Sequence, residues 1–261
     1  MLPALLCLVL LQEGQPKKAA PAAADVVRVE AALDEAFRSG EAKGIQAALE
    51  AAQDVPHPAI VRKVSRALED ERPEVKLVAL QVLRWMDLRE ALESLQRAAK
   101  DRKLMKSPEL ALAVLRGMGE HADPSSIEFL AKDPFQPEDA ACIRARLFGL
   151  ARVRTVAAID ALYGILATAA PGSSQRRIQA QLGDVRIALM MVTGTDQGAS
   201  PELWEAWWRE NKKTFRVPDV PPQLPREMSM EWNLFWGLPN VYERSGRRED
   251  RGQDPPAPRK E

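Results

Sequence analysis

Arginine is the residue type whose clustering in this sequence most resembles a binding site. Residues 142–186 contain seven arginines and only two acidic side chains, Asp160 and Asp184. A guanidinium group binds a carboxylate or a phosphate through paired hydrogen bonds, so such a cluster faces either solvent or an acidic partner. The candidate partner-binding residues form three close pairs, which are Arg144 and Arg146, Arg152 and Arg154, and Arg176 and Arg177.

Metal and nucleophile chemistry have few residues to use. The chain has two histidines, His57 and His121, and neither has a second histidine or a cysteine at the spacing of a zinc site. Of the two cysteines, Cys7 and Cys142, the second lies in an apolar helical pattern that predicts a small buried side chain. The Gly-Thr-Asp-Gln-Gly run at 194–198 lacks the lysine and the preceding strand of a phosphate-binding loop. The spacing of the acidic residues does not by itself show which two carboxylates would lie close enough to act as an acid/base pair. We therefore expect that the protein is not an enzyme and that it has no catalytic residue, metal or cofactor.

The overall charge is balanced, with 37 basic and 37 acidic side chains. A chain without net charge is not drawn to nucleic acid or to an anionic membrane surface by bulk electrostatics. The balance is uneven along the chain, because residues 25–54 are acidic and residues 142–186 are basic. We expect a protein partner rather than nucleic acid, because few aromatic side chains that could stack on bases accompany the arginines. The pattern specifies no oligomeric state.

Helices position these residues, and a repeated dipeptide marks where they begin. Pro-Glu occurs at 73–74, 108–109, 137–138 and 201–202, at intervals of 35, 29 and 64 residues. Proline fits the first turn of a helix, and the glutamate beside it faces the positive end of the helix dipole. Pro171-Gly172 falls within the longest interval. A helix-start signal at such intervals predicts a stack of helical hairpins.

Apolar residues recur with helical spacing through the body of the chain, and no alternation is long enough for a strand. The fold class predicted is therefore all-α. After Pro73 one apolar stripe carries Val75, Val78, Ala79, Val82, Leu83 and Met86. The spacing predicts helices over 25–39, 41–53, 58–70, 138–152 and 155–169, one from Pro108 that Ser107 caps and Gly119 ends, and a long one that stops at Gly194.

The run from Asp70 to Leu83, DERPEVKLVALQVL, resembles the first helix of a HEAT repeat, where Asp-x-x-Pro-Glu-Val-Arg precedes aliphatic positions. Tetratricopeptide repeats have a similar period, but their small-residue pattern and closing proline are missing here. The resemblance implies an α-solenoid of stacked antiparallel helical hairpins with a curved binding surface. One HEAT-repeat enzyme class, the deoxyhypusine hydroxylases, holds di-iron through His-Glu pairs, and this sequence has no His-Glu dipeptide.

The segment 191–211 resembles the closing segment of exported bacterial HEAT-repeat proteins, with a Thr-Gly turn and a Trp-x-x-Trp-Trp helix. Trp204, Trp207 and Trp208 share one face of that helix. The last repeat of a solenoid has no successor, so we expect the helix over 200–214 to cap the stack. The alternative is an exposed aromatic patch that binds a partner.

Both chain ends are predicted to differ from the solenoid, which spans 25–215. The apolar run MLPALLCLVLL and the small residues before Asp25 are typical of a secretory leader over 1–24, although no basic residue precedes the run. The run is too short to cross a membrane. A functional leader implies export to the periplasm or the cell exterior, and without one the protein is cytoplasmic. Beyond the solenoid we expect a Pro-rich linker at 216–227, an aromatic segment at 228–242 docked on the solenoid, and a disordered tail at 243–261.

These features predict a non-catalytic HEAT-repeat scaffold that mediates protein–protein interaction with an unidentified partner. Two alternatives stay open, namely an enzyme whose site is built across repeats and a nucleic-acid-binding protein that uses the arginine-rich part at 142–186. Steeply salt-dependent binding would favour nucleic acid. Carboxylates or arginines that converge in one deep pocket would favour the enzyme.

Overall fold

A computed structural model of the chain describes residues 20–167 and 173–239, and within residues 173–180 it describes the backbone alone. In these ranges all regular structure is helical, which confirms the all-α prediction. Most of the predicted leader and the whole predicted tail lie outside the described residues. No helix within the described ranges has the length and apolar character needed to cross a membrane. The chain divides into two compact units, Met1–Gly149 and Leu150–Glu261, which we call unit 1 and unit 2.

Unit 1 contains eight helices and most of a ninth, which continues into unit 2. Unit 1 also contains two 3₁₀ turns, Ala67–Glu69 and Pro124–Ser126. The helices are α1 Ala23–Ser39, α2 Ala42–Ala52, α3 Pro58–Arg66, α4 Pro73–Trp85, α5 Arg89–Ala98, α6 Arg102–Met105, α7 Pro108–His121, α8 Ile127–Ala131 and α9 Ala140–Val153.

Proline begins several helices as the sequence predicts, but the third Pro-Glu pair does not. Pro73, Pro108 and Pro201 each stand at the first helical position. In contrast, α9 begins at Ala140, because the Asp139 carboxylate accepts a hydrogen bond from the Cys142 N–H at 2.9 Å and caps the helix there. The prediction that a helix begins at residue 138 is therefore wrong by two residues.

Further helix ends differ from the predictions by at least two residues, and one of them belongs to the helix expected over 200–214, which ends at Asn211. The α-helix over 58–70 ends at Arg66 and passes into a 3₁₀ turn. Helix α7 continues past Gly119 to His121, where Ala122 adopts the left-handed conformation with φ of 51°. Gly119 stays helical because it is buried where α7 and α9 come close. Ser107 precedes α7, but its side chain makes no capping hydrogen bond.

Helix α4 lies at the centre of unit 1. It packs most extensively against α7 and also contacts α2, α3 and α5. Its inward positions Leu80 and Leu83 are fully buried, and burial of each leucine contributes about 1.5–3 kcal/mol. The fully buried core of unit 1 is mainly aliphatic, with Phe148 as an aromatic member, and includes Leu33, Ile45, Leu49, Ile60, Leu95 and Leu115.

Side-chain hydrogen bonds in unit 1 join residues that are about one predicted repeat apart. The Lys63 ammonium lies 2.5 Å from the Asp34 carboxylate, 29 residues earlier. Arg84 donates to Glu120, 36 residues later, at 3.0 Å. Five more bonds span 29 to 38 residues: Ser65 to Ser94, Gln96 to Ser125, Arg72 to the Gly40 carbonyl, His121 to the Leu83 carbonyl, and Cys142 to the Pro108 carbonyl. We call these bonds the repeat-spaced bonds.

Unit 2 contains the end of α9 and four more helices. They are α10 Val156–Ala167, α11 Ser173–Thr193, α12 Pro201–Asn211 and α13 Arg226–Trp236. Helix α10 contacts both α11 and α12. Helix α11 ends as predicted before Gly194, whose φ of 75° places it in the left-handed region that favours glycine. Residues 216–225 form no helix, and α13 begins directly after Pro225.

Candidate functional site

The predicted arginine cluster is divided between the two units, and its member Arg146, in unit 1, is buried. The Arg146 side chain keeps only 5% of its surface exposed. Its guanidinium donates to the carbonyls of Phe129, Leu130 and Gln136 at 2.7, 3.2 and 2.9 Å. Burial lowers the pKa of Arg146. This arginine therefore holds the loop between α8 and α9 in place.

Arg154 has a similar internal role in unit 2. It follows the last residue of α9 in the left-handed conformation, with φ of 49°. Its guanidinium donates to the Met191 carbonyl at 2.8 Å and to the Pro218 carbonyl. These bonds join the end of α11 to the segment before α13, and burial lowers the pKa of Arg154.

Two other arginines of the predicted cluster pack on aromatic rings. The Arg144 guanidinium lies 5.9 Å from the centre of the Phe148 ring, within unit 1. The Arg152 guanidinium lies 4.6 Å from the centre of the Trp236 ring, within unit 2. Both arginines are partly buried. The side chains of Arg176 and Arg177 lie outside the described residues. The structure thus places Arg144 and Arg146 in unit 1 and Arg152 and Arg154 in unit 2.

The three tryptophans of α12 form an aromatic cluster inside unit 2. The Trp208 ring stacks on Tyr163, with ring centres 5.5 Å apart, and on Trp207, at 5.9 Å. Trp204 meets Trp207 edge to face at 6.2 Å, and Phe215 meets both Trp207 and Trp208. Trp204 and Trp208 are buried, whereas Trp207 is only partly buried.

Hydrogen bonds fix this aromatic cluster to α10 and to the loop before α12. The Trp208 ring N–H donates to Asp160 at 2.9 Å, and the Trp204 ring N–H donates to the Gly198 carbonyl at 2.8 Å. The Tyr163 hydroxyl donates to the Trp204 carbonyl at 2.8 Å, and burial raises the pKa of Tyr163. Buried rings with paired N–H groups are typical of a structural core. The capping role of α12 stays a prediction.

Four cations that the sequence analysis missed line a cavity in unit 1 together with the predicted Arg146. The cavity has a volume of about 710 Å³ and lies among the turn after α5, helices α6 to α9 and the loop that precedes α9. We call it the basic cavity. Five cationic and two acidic side chains line it, namely Lys100, Arg102, Lys106, Lys132 and Arg146, with Glu128 and Asp133.

The wall of the basic cavity is partly apolar. Leu115, Met105, Phe129 and Pro137 all contribute to the lining. The Lys100 ammonium lies 5.3 Å from the centre of the Phe129 ring, close enough for a favourable cation–π interaction. An occupant of this cavity therefore meets positive charge and apolar surface together.

A second, smaller cavity is also lined by residues of the segment 97–106. It has a volume of about 390 Å³ and lies among α3, α5 and α6. Arg62, Arg66 and Arg97 line it, against Glu69 and Asp101. Residues 97–106 contribute to both cavities, so α6 and the end of α5 form their common border.

Nucleophiles and metal ligands are not gathered in the described ranges. No three or more His, Cys, Asp or Glu residues of those ranges are placed to hold a metal ion. The buried Cys142 thiol lies 3.3 Å from the Pro108 carbonyl, and burial, together with the Asp139 carboxylate, raises its pKa to about 12. Burial lowers the pKa of His121, whose ring nitrogen lies 3.1 Å from the Leu83 carbonyl. These groups are packed rather than presented to a substrate.

The basic cavity has one sequence signal that could have revealed part of it. The short run from Lys100 to Lys106, KDRKLMK, contains four basic side chains and one acidic one. This density is higher than in the arginine-rich region at 142–186. Lys132 and Arg146 come from other elements, and only folding brings them to the same cavity.

No protein-family model and no curated protein matches this sequence.

Proposed function

We propose that the protein is a non-catalytic helical scaffold that binds a partner protein, built as a HEAT-like α-solenoid of stacked antiparallel hairpins. The proposal includes α12 as the capping helix and export through the N-terminal leader. The basic cavity of unit 1 is the proposed contact site for the partner.

The repeat-spaced bonds are the observation that carries this proposal. They join residues 29 to 38 positions apart, and the Pro-Glu pairs recur at a similar interval. In a stack of similar units each residue meets its counterpart in the next unit, so bonded pairs are separated by one repeat. The central position of α4 between α2 and α7 supports the same arrangement.

The basic cavity gathers carboxylates and arginines, as the enzyme alternative predicts, so that alternative stays open, but the other lining residues support binding. Its described lining residues include no histidine, cysteine, serine or tyrosine that could act as a nucleophile or a neutral proton acceptor. Its two carboxylates, Glu128 and Asp133, are outnumbered by cations. Cations beside apolar surface suit the recognition of a folded or extended partner.

Partner binding can be tested with the full chain. We would capture partners from the exported fraction of the native host, purify the recovered protein and titrate it by calorimetry. A saturable complex of fixed stoichiometry is expected, with the partner recovered chemically unchanged. Conversion of the partner by substoichiometric protein would favour the enzyme, and absence of any saturable protein partner would contradict the scaffold. N-terminal sequencing of the protein from the host should give a first residue near Asp25, and an intact cytoplasmic chain would refute export.

A further inference from the structure

We infer that the basic cavity binds an extended acidic segment of the partner, in which carboxylates stand beside an aliphatic side chain. This inference rests on the proposed scaffold function and names the chemistry of its site. The occupant follows from three features of the cavity: cations without counter-ions, a buried guanidinium in the lining, and an apolar wall.

Three cationic side chains of the cavity lining have no carboxylate partner within the described residues. Arg102, Lys106 and Lys132 line the cavity, and none of them forms an ion pair with a carboxylate in the described ranges. Elsewhere in unit 1 comparable side chains are paired, as Lys63 is with Asp34 and Arg72 is with Asp70. A group of unpaired cations around one concave surface attracts an anionic ligand and favours its rapid association.

The Arg146 guanidinium adds positive charge at a buried point of the lining. Its hydrogen bonds all go to backbone carbonyls, which satisfy N–H groups but carry no full negative charge. The side chain is more than nine-tenths buried and still lines the cavity. The Asp133 carboxylate already favours the Arg146 cation, and a carboxylate that enters the cavity would add further negative charge where water screens it least.

The apolar wall decides between classes of anion. Met105 and Pro137 are partly exposed in the lining and offer a surface that an aliphatic side chain can cover and that a phosphate group cannot use. The aromatic ring of Phe129 already lies against Lys100, so the wall offers little for a base to stack on. A nucleic acid depends on phosphate contacts and stacking, whereas an acidic peptide can use both the cations and the apolar wall.

The size of the cavity and its smaller neighbour favour a segment over a single group. A volume of about 710 Å³ lies within the range of roughly 300–1,000 Å³ typical of ligand sites, which is enough for several side chains. Because residues 97–106 border both cavities, a segment that crosses α6 also meets the second set of arginines. Extended chain advances about 3.3 Å per residue, so a short segment suffices.

The first test uses charge reversal in the full-length protein. The probe is a fluorescein-labelled peptide of alternating glutamate and leucine, and its binding is followed by fluorescence anisotropy. The double variant Lys106→Glu/Lys132→Glu should bind it at least about tenfold more weakly, because both cations become repulsive. The matched control Lys43→Glu/Lys213→Glu changes the net charge equally at exposed residues that line neither cavity. It should alter the affinity by less than about threefold, as long-range charges are screened by salt.

The second test separates the apolar contact from the charge. Met105→Ala should weaken the binding of the glutamate–leucine peptide by about three- to tenfold, because the side chain loses apolar contact area. Binding of poly-L-glutamate, which has no aliphatic anchor, should change by less than about twofold. Circular dichroism of each variant checks that the helices are retained.

Three outcomes would overturn the inference. They are no binding of the peptide to the unmodified protein, an equal loss in both double variants, and tighter binding of single-stranded DNA that responds to the same Lys106→Glu/Lys132→Glu change. The native partner distinguishes this inference from the scaffold function. If the partner binds the Lys106→Glu/Lys132→Glu variant normally and the peptide does not compete, the scaffold stands and the inference fails. If the peptide binds as expected and no protein partner exists, the scaffold function fails.

Discussion

The two units of this protein are both helical, yet different side chains hold them together. Unit 1 has a mainly aliphatic core, and repeat-spaced bonds such as Arg84 to Glu120 and Lys63 to Asp34 join partly exposed side chains outside that core. Unit 2 uses an aromatic cluster in which Trp208 stacks on Tyr163 and donates to Asp160. Unit 1 also contains the basic cavity, whose lining comes from that unit alone.

The difference shows how helix-start signals and packing are separate properties. Helix α4 in unit 1 and α12 in unit 2 both begin with Pro-Glu, although the Ser200 side chain caps α12 and no side chain caps α4. Helix α4 presents leucines to several neighbours, and α12 presents tryptophans to α10. A repeated core of leucines permits further similar units to be added, whereas a cluster of large rings fits one specific place.

The largest expected effect comes from removing the centre of the aromatic cluster. Trp208→Ala should lower the free energy of unfolding by about 3–5 kcal/mol, because a buried ring and its hydrogen bond to Asp160 are lost. Urea denaturation followed by circular dichroism measures the change. Trp207→Ala is the matched control, and it should cost less, about 1–2 kcal/mol, because its ring is only partly buried.

A loss in Trp208→Ala no larger than that in Trp207→Ala would contradict the interpretation of this cluster as a core. An unchanged melting temperature in the Trp207→Ala variant would favour the alternative of an aromatic binding patch.

An intermediate effect is expected where two helices of unit 1 come close. A Cβ atom added at Gly149 would lie 3.1 Å from Leu130 and 3.3 Å from the Gly119 Cα. Gly149→Ala should therefore destabilise the protein by about 1–3 kcal/mol, because backbone cannot move aside as a side-chain end can. Gly164 in α10 of unit 2 has no atom within 4 Å of that position, so Gly164→Ala should stabilise by about 0.5–1 kcal/mol. Thermal denaturation of both variants compares the two sites, and equal effects would show that close packing does not distinguish them.

The smallest expected effect is on the pH dependence of stability, and it comes from Asp70, which lies just before α4. Hydrogen bonds from Arg72 hold the pKa of Asp70 at about 2, below its ordinary value of 3.8. The carboxylate therefore stabilises the fold above about pH 4, and this contribution is lost as the pH falls through about 2. Asp70→Asn should cost about 1 kcal/mol at pH 7, a modest value because a third of the Arg72 side chain is exposed.

Urea titrations of Asp70→Asn and of the unmodified protein at pH 7 and at pH 2 test this prediction. The difference between the two proteins should shrink at the lower pH. A difference that stays constant would show that the Asp70 charge does not stabilise unit 1.

Much of the local structure could be predicted from the sequence. The helix starts at Pro73, Pro108 and Pro201, the end of α11 before Gly194 and the absence of strands in the described ranges all follow from short-range rules. The errors arose where a side chain competed with the expected signal. At α9 the Asp139 carboxylate set the start, and at α7 close packing kept Gly119 helical.

The candidate site was far less predictable than the helices. Sequence density pointed to the arginines, but Arg146 and Arg154 turned out to bind backbone carbonyls. Long cationic side chains can either reach solvent or turn inward to satisfy buried carbonyls, and composition does not distinguish these fates. The burial of Trp204 and Trp208 was easier to anticipate, because their spacing places them on one face.

By itself the sequence determined the helical class and several helix starts, because these depend on residues within a few turns of one another. Only the tertiary structure decided which cations share a cavity. Lys106 and Lys132 lie in different elements, and Arg146 reaches the same lining from a third. That meeting depends on how helices pack, since packing sums many weak contacts between residues that are distant in the chain.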